Sequence, residues 1–175
     1  MITFKVGEAS PANTFFAIWM AEAAGLYKQN DLDFEVVKMV GGSETGPALS
    51  TDKIQLMHIG MSSVVRANSA GFNVTTIGSL SNVIRSTLFA GPGVNGIEEI
   101  KGNKVGISSA GSESELSTVV ALEKLGLSRD DIKFQEIGVE RLTHLKNGTV
   151  KATMLGEPLR SVAFAEGLMP ICDLL

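Results

Sequence analysis

The chain repeats itself, and the repeat limits what it can fold into. Gly42, Gly60 and Gly71 recur as Gly138, Gly156 and Gly167, at an offset of 96 each time. Residues 54–60 map onto residues 150–156 at the same offset. Upstream, Gly7 pairs with Gly106, Gly25-Leu26 with Gly126-Leu127, and Phe34 with Phe134, at offsets of 99, 101 and 100. The elements are kept and only the loop lengths change. Two similar units in tandem predict two lobes with a cleft between them, the form of a small-ligand binder.

Composition agrees with a globular α/β chain. The 175 residues are 44% hydrophobic and 19% charged, which is not a disordered balance. The net charge of −4 leaves no basic surface for nucleic acid. Cys172 is the one cysteine, so no disulfide can form within the chain. It reads as a small apolar core side chain. His58 and His144 have no partner at metal-ligand spacing, and His58 reads as a structural histidine inside a strand. We expect no metal and no cofactor. The N-terminus lacks a basic segment followed by an apolar one, so no secretory signal is read there. The longest apolar stretch, residues 15–26, is broken by Glu22 and is too short to span a bilayer.

Strand and helix patterns alternate along both units. Strands are expected over residues 2–7, 33–40, 54–60 and 74–78, then over 86–90, 104–108, 132–137, 150–156 and 169–174. Residues 14–28 read as a nearly all-apolar and therefore buried helix, ended or interrupted at Gly25. Shorter helices are expected over 43–50, where Gly46 and Pro47 weaken the pattern, and over 64–70 and 140–146. Ser112-Glu113-Ser114-Glu115 is a capping box that opens a further helix. The alternation predicts α/β architecture: two similar lobes, each a mostly parallel sheet flanked by helices. The lobes are expected over residues 1–84 and 85–175, with a hinge near residues 82–90.

Ligands of parallel sheets bind beyond the carboxyl ends of the strands. The loops at those ends are residues 8–13, 60–63, 78–82, 108–113, 138–140 and 156–158, and in a paired-lobe arrangement the two sets face each other. They give the candidate ligand-binding residues Glu8, Ser10, Asn13, Ser62, Ser63, Asn82, Ser112, Glu113 and Glu157. Ser10, Ser62, Ser63 and Ser112 stand near helix starts, where a hydroxyl can cap its own helix or bond a ligand. Glu113 either compensates the dipole of its helix or faces the ligand. If Glu8 and Glu157 both face it, an amine or amidine donor suits better than a bare anion. Arg85 reads as a solvated hinge charge or as the partner of an anionic solute. No catalytic residue is assigned: the chain has no nucleotide-binding glycine motif after a strand and no nucleophile elbow.

Four segments resemble one known family. Ala21-Glu22-Ala23-Ala24-Gly25-Leu26-Tyr27-Lys28 is similar to a helix end of the solute-binding proteins that serve nitrate, sulfonate, taurine and thiamine-pyrimidine importers. Gly41-Gly42-Ser43 with Ala48-Leu49 resembles that family's first turn. Residues 97–108 with Gly111-Ser112 resemble its second-lobe entry, and residues 145–152 with Glu157-Pro158 a later strand. Asp52, Gln55, Pro47 and Glu8 depart from the family pattern. The resemblance implies the type II periplasmic-binding-protein fold and a non-enzymatic binder of a small-molecule solute, working outside the cytoplasm with an ABC permease and ATPase. It also implies a C-terminally short chain whose first lobe lacks a return strand. A partner could then supply that strand, as in a homodimer. Thiamine-pyrimidine synthases resemble the same family and use lysine-bound pyridoxal phosphate with a cysteine-rich motif. This chain has no cysteine cluster, so the synthase is the alternative reading, beside a ligand-sensing module of the same fold.

Overall fold

The computed structural model describes residues 2–8, 15–39 and 42–175. The chain divides into two compact units, Met1–Leu80 and Ser81–Leu175. The first unit runs β1 (Ile2–Glu8), α1 (Phe16–Ala23), α2 (Leu26–Gln29), β2 (Leu32–Lys38), α3 (Thr45–Ser50), β3 (Leu56–His58) and α4 (Met61–Ser69). Its sheet has the order β2-β1-β3, all parallel. The second unit runs β4 (Ser86–Ala90), β5 (Lys104–Ile107), α5 (Glu113–Lys124), β6 (Lys133–Glu136), α6 (Arg141–Lys146), β7 (Ala152–Gly156), α7 (Leu159–Ala165) and β8 (Pro170–Asp173). Its sheet has the order β6-β5-β7-β4-β8, with β4 antiparallel to both neighbours.

The repeat has a packing cause. A side chain at Gly7 would meet Met57 Sδ at 2.4 Å and Ile54 Cδ1 at 2.8 Å. One at Gly106 would meet Ile137 Cδ1 at 2.4 Å and Val150 Cγ2 at 3.2 Å. Ile54 and Val150 are repeat partners, so each glycine lets the corresponding covering residue lie directly on its strand. The ladders move one pairing, however. Val36 lies opposite Val6 and Phe134 opposite Val105, so Phe134 stands where the first unit has Val36, not Phe34. Phe34 instead joins an aromatic group with Phe4 and Tyr27, at ring separations of 5.5 and 4.5 Å.

Local signals explain the helix limits. Gly25, at φ 69°, separates α1 from α2. Gly126, at φ 76°, follows α5, and the Leu127 N–H reaches back 2.9 Å to the Leu122 carbonyl. That is the return bond of a helix closed by a left-handed glycine. At the front of α5, Ser112 Oγ accepts from the Glu115 N–H at 3.4 Å. Glu115 reaches back one residue further than a capping box requires, to the Gly111 N–H, and pairs on its other side with Arg129.

Three expectations are corrected. The first helix is not buried: no residue of α1 is, and Phe16, Trp19 and Met20 are 57%, 38% and 51% exposed. A helix apolar all round can lay only one stripe on its own unit. That stripe is Phe15, Ile18 and Ala21, at helical spacing. Residues 74–78 form no strand. Their repeat partners in β8 are held in the second sheet solely by β4. No described strand of the first unit occupies the place of β4, so residues 74–78 have no ladder to join. The proposed hinge also fails in part, because residues 86–90 are the buried strand β4 inside the second sheet.

Two clusters make the core of the second unit. Leu88, Val105, Ala121, Leu122 and Met154 anchor one on the α5 side. Phe89, Leu145, Val150, Leu155 and Ala163 anchor the other on the α6 and α7 side. Cys172, read from the sequence as a buried small apolar side chain, packs against the first but is only partly buried. Met39, Ala48 and Ile54 form the smaller cluster of the first unit. Among the described residues no helix is long and apolar enough to cross a membrane.

Candidate functional site

Each sheet presents the carboxyl ends of its parallel strands along one edge, and polar groups gather at both edges. In the first unit, β1 ends at Glu8 and β3 at His58, and the two are direct neighbours in the ladder. Glu8 is 1% exposed. One carboxylate oxygen, Oε2, pairs with Lys38 Nζ at the end of β2. The other, Oε1, is buried with no hydrogen-bond partner among the described residues. Burial lowers the pKa of His58 below its ordinary value, so its imidazole is neutral at pH 7. The Phe15 ring stands edge-on to it at 5.8 Å. Gly60 then turns the chain into α4, and Ser62 in the first turn has a buried, unpartnered Oγ.

In the second unit, β5 runs out at Ile107 into a serine-rich loop. The Ser114 hydroxyl accepts from the Ser108 N–H at 2.8 Å and lies 2.9 Å from Ser108 Oγ and 2.8 Å from Ser112 Oγ. Ser109 Oγ is buried without a partner. Arg141, the first residue of α6, reaches this edge. Its Nε donates to the Met154 carbonyl at 3.1 Å and its Nη1 to the Gly138 carbonyl at 3.5 Å. No carboxylate lies within ion-pair distance of it among the described residues. Burial lowers its pKa while the charge of Glu113 acts the other way, so Glu113 lies within electrostatic reach. The guanidinium stays charged.

The sequence candidates divide accordingly. Glu8 and Ser62 stand at the first edge with free acceptor or donor capacity. Ser63 is 3% exposed and packs under Gly42, whose Cβ would fall 2.1 Å from Ser63 Oγ. Ser112 is engaged as a helix cap, and Glu113 is exposed at the start of α5. Asn82 is exposed in the irregular stretch after residues 74–78, which end no strand. Ser10 and Asn13 lie outside the described residues. His58, Ser109, Arg141 and Lys38 were not among the candidates. His58 was available from the repeat, which sets it against Met154.

Glu157 is spent within its own unit. Its carboxylate accepts from the Ser161 N–H at 3.0 Å and pairs with Arg160 at 3.3 Å. Arg160 also donates to Thr87 Oγ1 at 2.8 Å and pairs with Asp173 at 3.0 Å, tying α7 to β4 and β8. The hydrogen bonds from Ser161 lead in lowering the pKa of Glu157, with Arg160 adding to them. For Asp173 burial acts upward, but bonds from Arg160, Thr87 and the Leu175 N–H outweigh it and the pKa falls. Both folded values lie below the ordinary 4.5 and 3.8. The network's contribution is therefore complete above that range and is lost as pH falls through the depressed values. Melting temperature followed from pH 7 downward should hold to about pH 5 and then drop. Arg160→Met should flatten that drop, although the partial exposure of both carboxylates limits its size.

A family model described as NMT1/THI5 like matches residues 12–163. The chain is 25% identical over 152 residues to the 4-amino-5-hydroxymethyl-2-methylpyrimidine phosphate synthase of Schizosaccharomyces pombe, covering 85% of this chain and 43% of that protein. Among solved structures it is similar to the alkanesulfonate-binding protein SsuA from Xanthomonas axonopodis pv. citri bound to MOPS. There the TM-score is 0.83 at 19% identity, over 99% of this chain and 61% of that one. It is also similar to the Candida albicans CA3427 gene product, which has the generic periplasmic binding protein fold. That match has a TM-score of 0.68 at 23% identity, over 98% and 59%. The chain thus has the periplasmic-binding-protein fold and spans less than half the length of the synthase.

Proposed function

The chain belongs to the NMT1/THI5-like family, and on that footing we propose that it binds a small polar solute at the carboxyl ends of its parallel strands. One observation carries this reading. Among the described residues four buried side-chain polar atoms have no partner; Glu8 Oε1, Ser62 Oγ and Ser109 Oγ sit at or just after the carboxyl end of a strand, and the fourth, His144 Nδ1, lies within α6. Buried polar atoms are ordinarily paired, and leaving each one unpaired costs about 1–3 kcal/mol. A solute that brings complementary donors and acceptors recovers that cost. Arg141 adds a fixed cation at the second edge. The solute is of the sulfonate, nitrate, taurine or aminopyrimidine type, handed on to an ABC permease and ATPase outside the cytoplasm.

Titration calorimetry against methanesulfonate, nitrate, taurine and 4-aminopyrimidine tests it. At least one should bind saturably without being consumed. Failure of all four to bind would remove the reading.

The Schizosaccharomyces pombe relative is named as a pyrimidine phosphate synthase, which favours a second, enzymatic reading. Adding pyridoxal phosphate should then give the visible absorbance of a lysine adduct. A spectrum that is only the sum of its parts removes that alternative.

A further inference from the structure

The three strands of the first sheet end in register. Lys38, Glu8 and His58 stand side by side across β2, β1 and β3. Register partners in a sheet project to the same face, so the three side chains share one surface. The second sheet is built the same way and ends differently. Ile107 stands where Glu8 does, one residue beyond the paired glycines Gly7 and Gly106. Met154 stands where His58 does, at the offset of 96. Ile107 and Met154 are 1% and 2% exposed and complete their sheet as core. The first unit carries a carboxylate and an imidazole at places the same architecture fills with two apolar side chains.

That substitution is costly for folding alone. Among the described residues Glu8 is buried with Oε1 unpartnered, and it is ion-paired there to Lys38 alone, whose side chain is 74% exposed. Apolar side chains in place of a buried, incompletely satisfied charged group often stabilise a protein. His58 offers one ring nitrogen as donor and one as acceptor. A carboxylate oxygen awaiting a donor, next to a ring nitrogen able to take the neighbouring atom, matches an N–C–N edge.

We infer that Lys38, Glu8 and His58 form a subsite for an N–H donor of the amidine or aminopyrimidine kind, with Glu8 Oε1 accepting the N–H and His58 bonding the adjacent nitrogen. The subsite turns away bare anions, because a sulfonate or nitrate oxygen cannot donate to Oε1 and is repelled by its charge. This rests on the solute-binding reading above and names the solute chemistry that the first unit recognises.

The test compares wild type, Glu8→Gln and the double variant Glu8→Ile, His58→Met, which copies the second unit. Calorimetry uses 4-aminopyrimidine, unsubstituted pyrimidine and methanesulfonate, and melting temperature is read for each protein. Wild type should prefer 4-aminopyrimidine to pyrimidine at least tenfold, and Glu8→Gln should erase that preference. The double variant should lose 4-aminopyrimidine binding and melt several degrees above wild type. Equal binding of the two pyrimidines by wild type overturns the inference. So does a double variant that melts lower and keeps binding, as expected of a purely structural ion pair. Wild type that binds methanesulfonate alone, unchanged in Glu8→Gln, also overturns it while leaving solute binding intact. Only failure of every solute removes both.

Discussion

Leu88→Ala should lower the stability of the second unit by about 2–5 kcal/mol, the range for emptying a buried leucine site that cannot collapse. Leu88 is fully buried in β4, among Val105, Leu122 and Met154. Its strand is bonded on both sides, to β7 at Met154 and to β8 at Cys172. Relaxation into the cavity would have to drag one of those ladders, so the void should persist. β8 has no ladder other than the one with β4, so its amides should report the change most directly. Hydrogen exchange should show lost protection across β4, β7 and β8. Leu80→Ala, at a leucine that is 62% exposed, should change stability by less than about 0.5 kcal/mol. A loss below about 1 kcal/mol for Leu88→Ala would mean that β4 does not hold the sheet together.

The same strand marks where sequence reading succeeded and where it stopped. The glycine repeat disclosed two units because its glycines answer local demands: Gly7 and Gly106 let Ile54 and Val150 lie close on their strands, and Gly71 and Gly167 both take a positive φ. Such demands are written in single residues. The α5 cap at Ser112 and the closures after α1 and α5 were legible for the same reason. Whether residues 74–78 pair was not legible. Strand pairing depends on a neighbour distant in the chain, and an apolar, β-branched stretch reads alike with or without one. The exposure of α1 escaped for a related reason. Its composition, apolar on every side, announces burial but does not say against what.

The sequence picked out the candidate loops but not which of their side chains are already engaged. The strand-end rule brought Glu8, Ser62 and the 108–113 loop to the two edges. It also admitted Glu157, which Arg160 and the Ser161 N–H occupy, and Ser63, which packs beneath Gly42. Hydroxyls and carboxylates at helix starts serve caps as readily as ligands, and sequence does not separate the two uses. His58 was passed over as structural because a lone strand histidine carries no spacing signal. Comparing the units position by position sets it against the buried Met154.

Arg141→Gln should weaken binding of an anionic solute by about tenfold to a hundredfold, which is the loss of about 1.5–3 kcal/mol from charge-assisted hydrogen bonds. The guanidinium is held by two carbonyls, Met154 O and Gly138 O, not by a carboxylate, so its charge is available to a ligand. A planar group fixed by its own backbone contacts loses little freedom when an anion arrives. Lysine cannot repeat both contacts, so Arg141→Lys should recover only part of the affinity. Calorimetry with methanesulfonate and methyl phosphate gives the comparison, and 4-aminopyrimidine, which carries no anionic group, should bind Arg141→Gln as it binds wild type. The methanesulfonate affinity of wild type should fall with added salt more steeply than that of Arg141→Gln, since the variant has lost the charge that salt screens. Equal affinities with equal salt slopes would show that Arg141 serves only to cap the turn at Gly138 and the end of β7. A parallel loss for 4-aminopyrimidine would instead show a general disturbance of the second edge, with no charge recognition in it.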